Sequence, residues 1–311
     1  MTDKNSRPSH VAVAVAPADV GFLTLGNELE AACRAATLVQ TSPTRMLSAD
    51  GKWAAVELDL ALGETRVSTA RAALEASLAA KSDVALLPHA ERRKKLLISD
   101  MDSTIIEQEC LDELAAYAGL KDEIAAITAR AMAGELNFEG ALTGRVSKLE
   151  GLSLNALGQC YDERISLMPG AKTLTATMRA HGGSCILVSG GFTYFTARVA
   201  EAAGFQDHRG NTLIDDGSVL TGEVGQPILG REAKLTALDE TRAKLQLERS
   251  DVLAMGDGAN DLAMIEAAGL GLAVHAKPIV ANASNAAINH TDLTAALYFQ
   301  GYTESEIVWR D

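Results

Sequence analysis

Leu96-Leu97-Ile98-Ser99-Asp100-Met101-Asp102-Ser103-Thr104 decides how this chain is read. The apolar run Leu96-Leu97-Ile98 predicts a short buried strand, and two carboxylates, one residue apart, fall where that strand runs out into a loop. Side chains on a strand alternate between faces, but a turn at its end can bring both acids to one small pocket. An aspartate placed there can attack phosphorus and become an aspartyl-phosphate. A second can trade protons with the leaving group and with water. Taken alone, the Asp-x-Asp-Ser-Thr segment reads equally well as a helix cap after a strand. The rest of the chain decides between the two.

After this loop comes a long insertion, about residues 104–169. Its Ala/Leu/Ile periodicity, broken at Gly119, Gly134, Gly151 and Gly158, predicts several helices. An ordinary crossover needs a dozen or so residues, so the surplus implies a helical cap over the strand ends, where open α/β sheets bind ligands. Further short apolar strands are expected at 185–189, 252–255 and 271–274, separated by helical stretches. That pattern belongs to a parallel sheet covered on both faces. Between 207 and 227, turns such as Asp216-Gly217 suggest a small hairpin appended to the sheet.

Before the first acidic loop the pattern differs. Strands are expected at 11–16, 44–48, Trp53–Ala61 and 83–87, and helices at 27–36 and 65–80. This β-α-β-β-α-β order is that of a ferredoxin-like α+β module. The basic run at 89–95 reads as a solvated hinge between the two parts.

Composition narrows the function. At 311 residues and 47% hydrophobic, the chain can bury one large core plus a small extra domain. No apolar run approaches the roughly 20 residues of a membrane span, and 11–16 is too short for a signal-peptide core. A soluble, cytoplasmic protein is expected. The net charge of -13 argues against nucleic acid and anionic membranes as partners. It also requires that any phosphate be met by a metal ion or a few placed Lys and Arg. Cys33, Cys110, Cys160 and Cys185 form no metal-binding or disulfide pattern.

Three further segments carry chemistry. Ser189-Gly190-Gly191-Phe192 places a hydroxyl and two glycines between a strand and a helix over 194–203, where backbone can approach an anion. An ordinary strand-to-helix turn uses the same residues. Lys234 opens a helical stretch, and locally it reads as a surface lysine. Gly256-Asp257-Gly258-Ala259-Asn260-Asp261 follows a strand and offers oxygen ligands to a hard cation, though an Asx-rich turn would also fit.

In this order the four segments resemble the haloacid-dehalogenase superfamily of phosphotransferases. Glu109, the stretch Ala131-Met-Ala-Gly-Glu-Leu-Asn-Phe-Glu-Gly-Ala-Leu142 and Arg145-Val146 resemble the cap of the phosphoserine phosphatases. Ser189-Gly-Gly-Phe192 and Gly256-Asp-Gly-Ala-Asn-Asp261 resemble that family's second and fourth motifs. The likeness covers about residues 94–300. It implies a Rossmann-like parallel sheet over 91–311, with a helical cap of the C1 type at about 104–169. The first 90 residues are similar in element order to the ACT-type domains that some of these phosphatases carry. Amino-acid sensing, dimerisation to a homodimer and a purely structural role are all open for them.

The resemblance also implies roles. Asp100 is the nucleophile and Asp102 the general acid and base. Mg²⁺ is held by Asp100, the backbone carbonyl of Asp102 and Asp257, with Asp261 and Asn260 orienting that shell or the phosphate. Ser189, the Gly190 N–H and Lys234 hold the phosphoryl oxygens. Arg145 takes the substrate carboxylate and Glu109 its ammonium, while Phe138 and Met132 seal the site. The activity so implied is hydrolysis of O-phospho-L-serine, the last step of serine biosynthesis. The alternatives are a phosphatase or phosphotransferase of the superfamily for another small phosphate, a phospho-accepting signalling domain, and a regulatory amino-acid-binding protein. The Glu109/Arg145 pair suits an amino acid and not a sugar or nucleotide.

Overall fold

Residues 7–49, 51–78, 80–133 and 135–310 are described by a computed structural model. Gly134 and the side chain of Met132, one of the two residues expected to seal the site, lie outside the described part. The N-terminal unit runs β1 (His10–Pro17), α1 (Phe22–Ala35), β2 (Val39–Gln40), β3 (Arg45–Ser48), β4 (Trp53–Ala61), α2 (Val67–Leu78) and β5 (Asp83–Pro88). β1 pairs antiparallel with both β4 and β5. Helix α1 begins five residues before the expected Asn27. Gly26 discourages a helix locally, but Leu25, Leu29, Ala32 and Cys33 form a buried stripe at helical spacing, and that burial prevails. The two-residue β2 is too short to leave a sequence pattern.

The second unit opens with β6 (Leu96–Ser99) and then the cap helices α3 (Cys110–Ala115), α4 (Lys121–Met132), α5 (Phe138–Ser147) and α6 (Asn155–Arg164). It continues α7 (Ala171–Ala180), β7 (Ser184–Phe192), α8 (Thr193–Ala203), β8 (Asp207–Asn211), β9 (Leu213–Asp215), β10 (Leu220–Val224) and α9 (Arg231–Lys244). The remainder is β11 (Val252–Gly256), α10 (Leu262–Ala267), β12 (Leu270–Val274), α11 (Pro278–Ala283), β13 (Ala286–Ile288) and α12 (Ala295–Phe299). The parallel order β13-β12-β11-β6-β7-β8 puts β6 at the centre, between β11 and β7. Every residue of β6 is buried, as a strand covered on both faces requires. The chain enters and leaves the cap side by side, where Ile106 bridges Leu167 and the Met168 N–H donates to the Ile105 carbonyl.

Three expectations are corrected. The segment 207–227 is not all hairpin. β8 joins the parallel sheet beside β7, and only β9 and β10 pair as a separate ribbon. β7 does not stop at Ser189 but runs through both glycines to Phe192, because β8 supplies a neighbour that far along. The basic run at 89–95 is no solvated hinge. Arg92 pairs with Glu57 at 2.6 Å, and Arg93 lies 4.3 Å over the Tyr302 ring while pairing with Glu306. Lys94 is 9% exposed and its ammonium donates to the carbonyls of Glu91 and Ser250.

These contacts fasten the two units together. β5 pairs antiparallel with β13 at Ala85 and Ala286, so one eleven-stranded sheet runs through the molecule. Val11, Val13, Val15, Ala85 and Leu87 share a core with Tyr298 and Phe299 of α12, while the opposite face of β1 packs on α1 and α2.

Candidate active site

Each acidic loop stands at the C-terminal end of a short, buried and mostly apolar strand that its charged residues cannot continue. Asp100 follows β6, its N–H donating to the Met255 carbonyl of β11. Asp257 and Asp261 follow β11. Lys234 comes from the first turn of α9, and although it reads as a surface residue it is 1% exposed. Its ammonium sits 2.7 Å from Asp100 Oδ2 and 2.6 Å from Asp261 Oδ1. Burial alone would depress this lysine, but the charges of Asp100 and Asp261 outweigh it and hold the ammonium above the usual lysine range.

One lysine does not balance the acids. Oxygens of Asp100, Asp257 and Asp261 lie within 4.8 Å of one another, all buried. Burial, and then the charge of Asp261, raise Asp100 well above the usual carboxylate range, and the same two causes push Asp257 to about 7. Oδ1 of Asp257 and Oδ1 of Asn260 are buried without a hydrogen-bond partner. Orphaned oxygen acceptors beside an acid cluster are the donor set of a hard cation, so the residues present fit a divalent metal. Asp261 is built into the loop. Its Oδ2 accepts from the N–H groups of Asp257 and Gly258, and a Cβ on Gly256 would lie 2.3 Å from its Cγ, so only glycine fits there.

Asp102 is turned away from this cluster. Its Oδ1 accepts from the N–H of Cys110 at 2.8 Å, and its Oδ2 from the Ser189 hydroxyl at 3.0 Å. Of its polar groups, the backbone carbonyl is what remains for a metal. Ser189 Oγ in turn accepts from the Gly191 N–H. The Gly190 carbonyl is held by Asn211 Nδ2, and the Asn211 amide also exchanges hydrogen bonds with Leu229 N–H and carbonyl. Asn211 therefore ties the Ser-Gly-Gly segment to the approach to Lys234. Sequence reading missed it because a lone Asn among turn residues has no pattern.

The cap closes over these groups. Phe138, at the start of α5, lies so close to Gly190 that a Cβ there would meet its ring at 2.6 Å. The enclosed space beneath measures about 30 Å³ and is lined by Asp100, Asp102, Glu109, Phe138, Arg145, Ser189 and Asn260, among others. Met132 aside, the expected site residues therefore converge, with Lys234, Asp257 and Asp261 immediately behind. Glu109 Oε1 accepts from the Ser103 hydroxyl at 2.7 Å, and burial together with the charges of Asp102 and Asp257 pushes it to about 8. Arg145 is 4% exposed; its Nε donates to the Ala141 carbonyl and its Nη1 to Thr128 Oγ1 at 2.6 Å. Thr128 and its acceptor Asp112 were not anticipated.

Comparison with known proteins agrees with this geometry. Residues 97–266 match the family model described as haloacid dehalogenase-like hydrolase. The chain is 41% identical over 216 residues to a probable phosphoserine phosphatase of Schizosaccharomyces pombe, covering 69% of this chain and 72% of that protein. A HAD-family hydrolase from Salmonella enterica serovar Typhi superposes with a TM-score of 0.81 at 29% identity, covering 96% of this chain and 99% of the other. A substrate-bound phosphoserine phosphatase gives 0.64 at 35% identity, over 67% of this chain and 98% of the other. The chain belongs to the haloacid dehalogenase-like hydrolases, in their phosphoserine phosphatase family.

Proposed function

We propose that this protein hydrolyses O-phospho-L-serine to serine and phosphate through a phosphorylated Asp100, with Mg²⁺ as its metal. The observation that carries the substrate is the shared cavity. A buried cation, Arg145, and a carboxylate, Glu109, face the same small space as Asp100, Asp102 and Ser189. That set matches a ligand with a carboxylate, an ammonium and a phosphate. The 30 Å³ holds about two waters, so on this reading the cap would part to admit the substrate and close to exclude bulk water.

In the reading we favour, an Asp100 oxygen attacks phosphorus in line, the O–P bond forms and the bond to the serine oxygen breaks. Asp102 gives its proton to the departing serine oxygen. It then takes a proton from the water that attacks the aspartyl-phosphate, and cleavage of the acyl-phosphate P–O bond restores the Asp100 carboxylate. Lys234, the Ser189 hydroxyl and the Gly190 N–H meet the charge on the phosphoryl oxygens. Asp100, Asp257 and the Asp102 carbonyl would hold Mg²⁺, with Asp261 and Asn260 orienting the group. The ion would supply positive charge to offset the repulsion between the nucleophile and the phosphate dianion. Arg145 orients the substrate by its carboxylate, Glu109 by its ammonium, and Phe138 shuts the entrance.

Residues 1–90 are proposed as an ACT-like module on a catalytic unit of 91–311. No helix among the described residues is long and apolar enough to cross a membrane, and all four cysteines are buried and free, which suits a reducing compartment.

The test is phosphate release from a panel of phospho-amino acids and sugar phosphates, with Mg²⁺ and after exhaustive chelation. Phosphoserine should exceed the sugar phosphates by at least tenfold in kcat/KM, chelation should abolish turnover, and Asp100→Asn should be inactive but folded. A sugar phosphate as preferred substrate would overturn the substrate assignment. Full activity after chelation would overturn the metal.

A further inference from the structure

Arg145 does not stand alone in the cap. Its Nη1 donates to Thr128 Oγ1 at 2.6 Å, and that hydroxyl donates to Asp112 Oδ1 at 2.6 Å. The three residues come from three cap helices: Asp112 from α3, Thr128 from α4 and Arg145 from α5. All three are buried, at 8%, 3% and 4% exposure. Among the described residues no direct ion pair joins Arg145 to Asp112; the threonine hydroxyl stands between them.

We infer that Asp112 and Thr128 are positioning residues that preset the Arg145 guanidinium for the substrate carboxylate. This rests on the phosphoserine reading above. A guanidinium carries five N–H donors in a rigid fork. The Nε–H is taken by the Ala141 carbonyl and one Nη1–H by Thr128, which fixes the plane of the fork from the protein side. Three N–H groups have no protein acceptor among the described residues, and the side chain lines the cavity. Those three are available for the two parallel hydrogen bonds a carboxylate accepts.

The spacer hydroxyl has a specific consequence. A carboxylate bonded straight to the fork would compete with the substrate for the same N–H groups. Asp112 placed one hydroxyl away compensates the buried positive charge without occupying the binding edge. The group is therefore ordered and charge-compensated before substrate arrives, which lowers the ordering cost at binding. Glu109 stands at the N-cap of α3 and Asp112 in its first turn, so the start of one helix brings both the proposed ammonium acceptor and the distant end of the arginine relay.

The variants that test this are Thr128→Val, which keeps the shape and removes the hydroxyl, Thr128→Ser, which restores it, and Asp112→Asn. The substrates are phosphoserine and phosphoethanolamine, which lacks the carboxylate. Thr128→Val should raise KM for phosphoserine about tenfold or more while changing kcat less than threefold, and should leave phosphoethanolamine kinetics within twofold of wild type. Thr128→Ser should return phosphoserine KM to within about threefold. Asp112→Asn should shift the same way as Thr128→Val and by less. In an Arg145→Ala background, Thr128→Val should add less than a twofold effect, since the two act through one contact.

Equal losses on both substrates from Thr128→Val would show a packing role in the cap and overturn the inference. So would a full multiplicative effect in the Arg145→Ala background, a measurement that holds even where Thr128→Val folds poorly. If the wild-type protein shows no preference for phosphoserine over phosphoethanolamine, the phosphoserine reading itself fails, and the variants are not needed to see it.

Discussion

Lys234→Met removes the cation paired with Asp100 and Asp261 beneath the cavity while nearly keeping its volume. The magnitude can be worked from two distances. At 2.7 Å from Asp100 and 2.6 Å from Asp261, each pair is worth about 6 kcal/mol of gross attraction at an effective dielectric of about 20. Desolvation of three buried charges offsets most of this, and truncating one partner of such a cluster costs about 3–5 kcal/mol net. If Lys234 moves onto the phosphoryl oxygens in the transition state, that loss falls on the barrier, and kcat should drop about 10²- to 10⁴-fold. Phosphate release from phosphoserine at saturating Mg²⁺ measures the drop, and thermal melting measures stability separately. Lys234→Arg, which keeps the charge in a larger shape, should retain more activity than Lys234→Met. A folded Lys234→Met protein with kcat within tenfold of wild type would refute the reasoning. Lys234 would then be a structural counter-ion to Asp100 and Asp261 and nothing more.

Glu109 is pushed to about 8 by burial and by Asp102 and Asp257, so at pH 7 it is largely protonated until an ammonium pairs with it. Phosphoserine binding should therefore release a proton, and KM should fall as pH rises toward 8. Calorimetry in buffers of different ionisation heat reads this directly, and no proton release, or release persisting in Glu109→Gln, would contradict it. Phe138→Ala opens the space above Gly190 without touching the reacting groups, and kcat/KM should fall about 10- to 100-fold with thermal stability nearly unchanged. Wild-type kinetics in that variant would show that the ring does not seal the site. Asp83 accepts hydrogen bonds from the N–H groups of Asn289, His290 and Thr291, fastening the N-terminal unit to the loop after β13. Asp83→Ala leaves the buried N–H and hydroxyl of Thr291 unpaired at about 1–3 kcal/mol each, and urea unfolding should show a midpoint lowered to match. An unchanged midpoint would mean that water replaces the carboxylate.

What the sequence revealed and what it hid divide along physical lines. Asp100, Asp102, Asp257 and Asp261 stood out because each pair lies in a loop that follows a short, mostly apolar strand, and the order of the loops along the chain decided against ordinary caps and turns. Lys234 had no such frame. Its burial is created by acids more than twenty residues away, and only the family likeness singled it out. Asn211, Asp112 and Thr128 were invisible for the same reason: each acts through a partner across a turn or on another helix. The basic run at 89–95 misled in the opposite direction. Arg and Lys bury long stems while pairing their heads, and the groups they pair with, Glu57 and Glu306, lie far along the chain.

The position of Asp102 connects the chemistry to the cap. One oxygen is held by the N–H of Cys110, the first residue of the first cap helix, and the other by Ser189 in the phosphate-binding segment. The group that would move the proton is thus anchored half by the cap and half by the sheet. If the cap parts to admit the substrate, as proposed above, a shift of α3 would loosen the first anchor. Phosphate arriving at Ser189 draws on the second. On the proposed mechanism Asp102 would regain a fixed place only once the cap had closed on a ligand held by Glu109, seven residues along the same segment. On that mechanism, recognition of the amino acid and readiness of the acid would be joined through one short stretch of chain, residues 102–110. A closure that excludes water would then also complete the proton donor, which favours turnover of a ligand that fills both ends of the cavity over one that brings a phosphate alone.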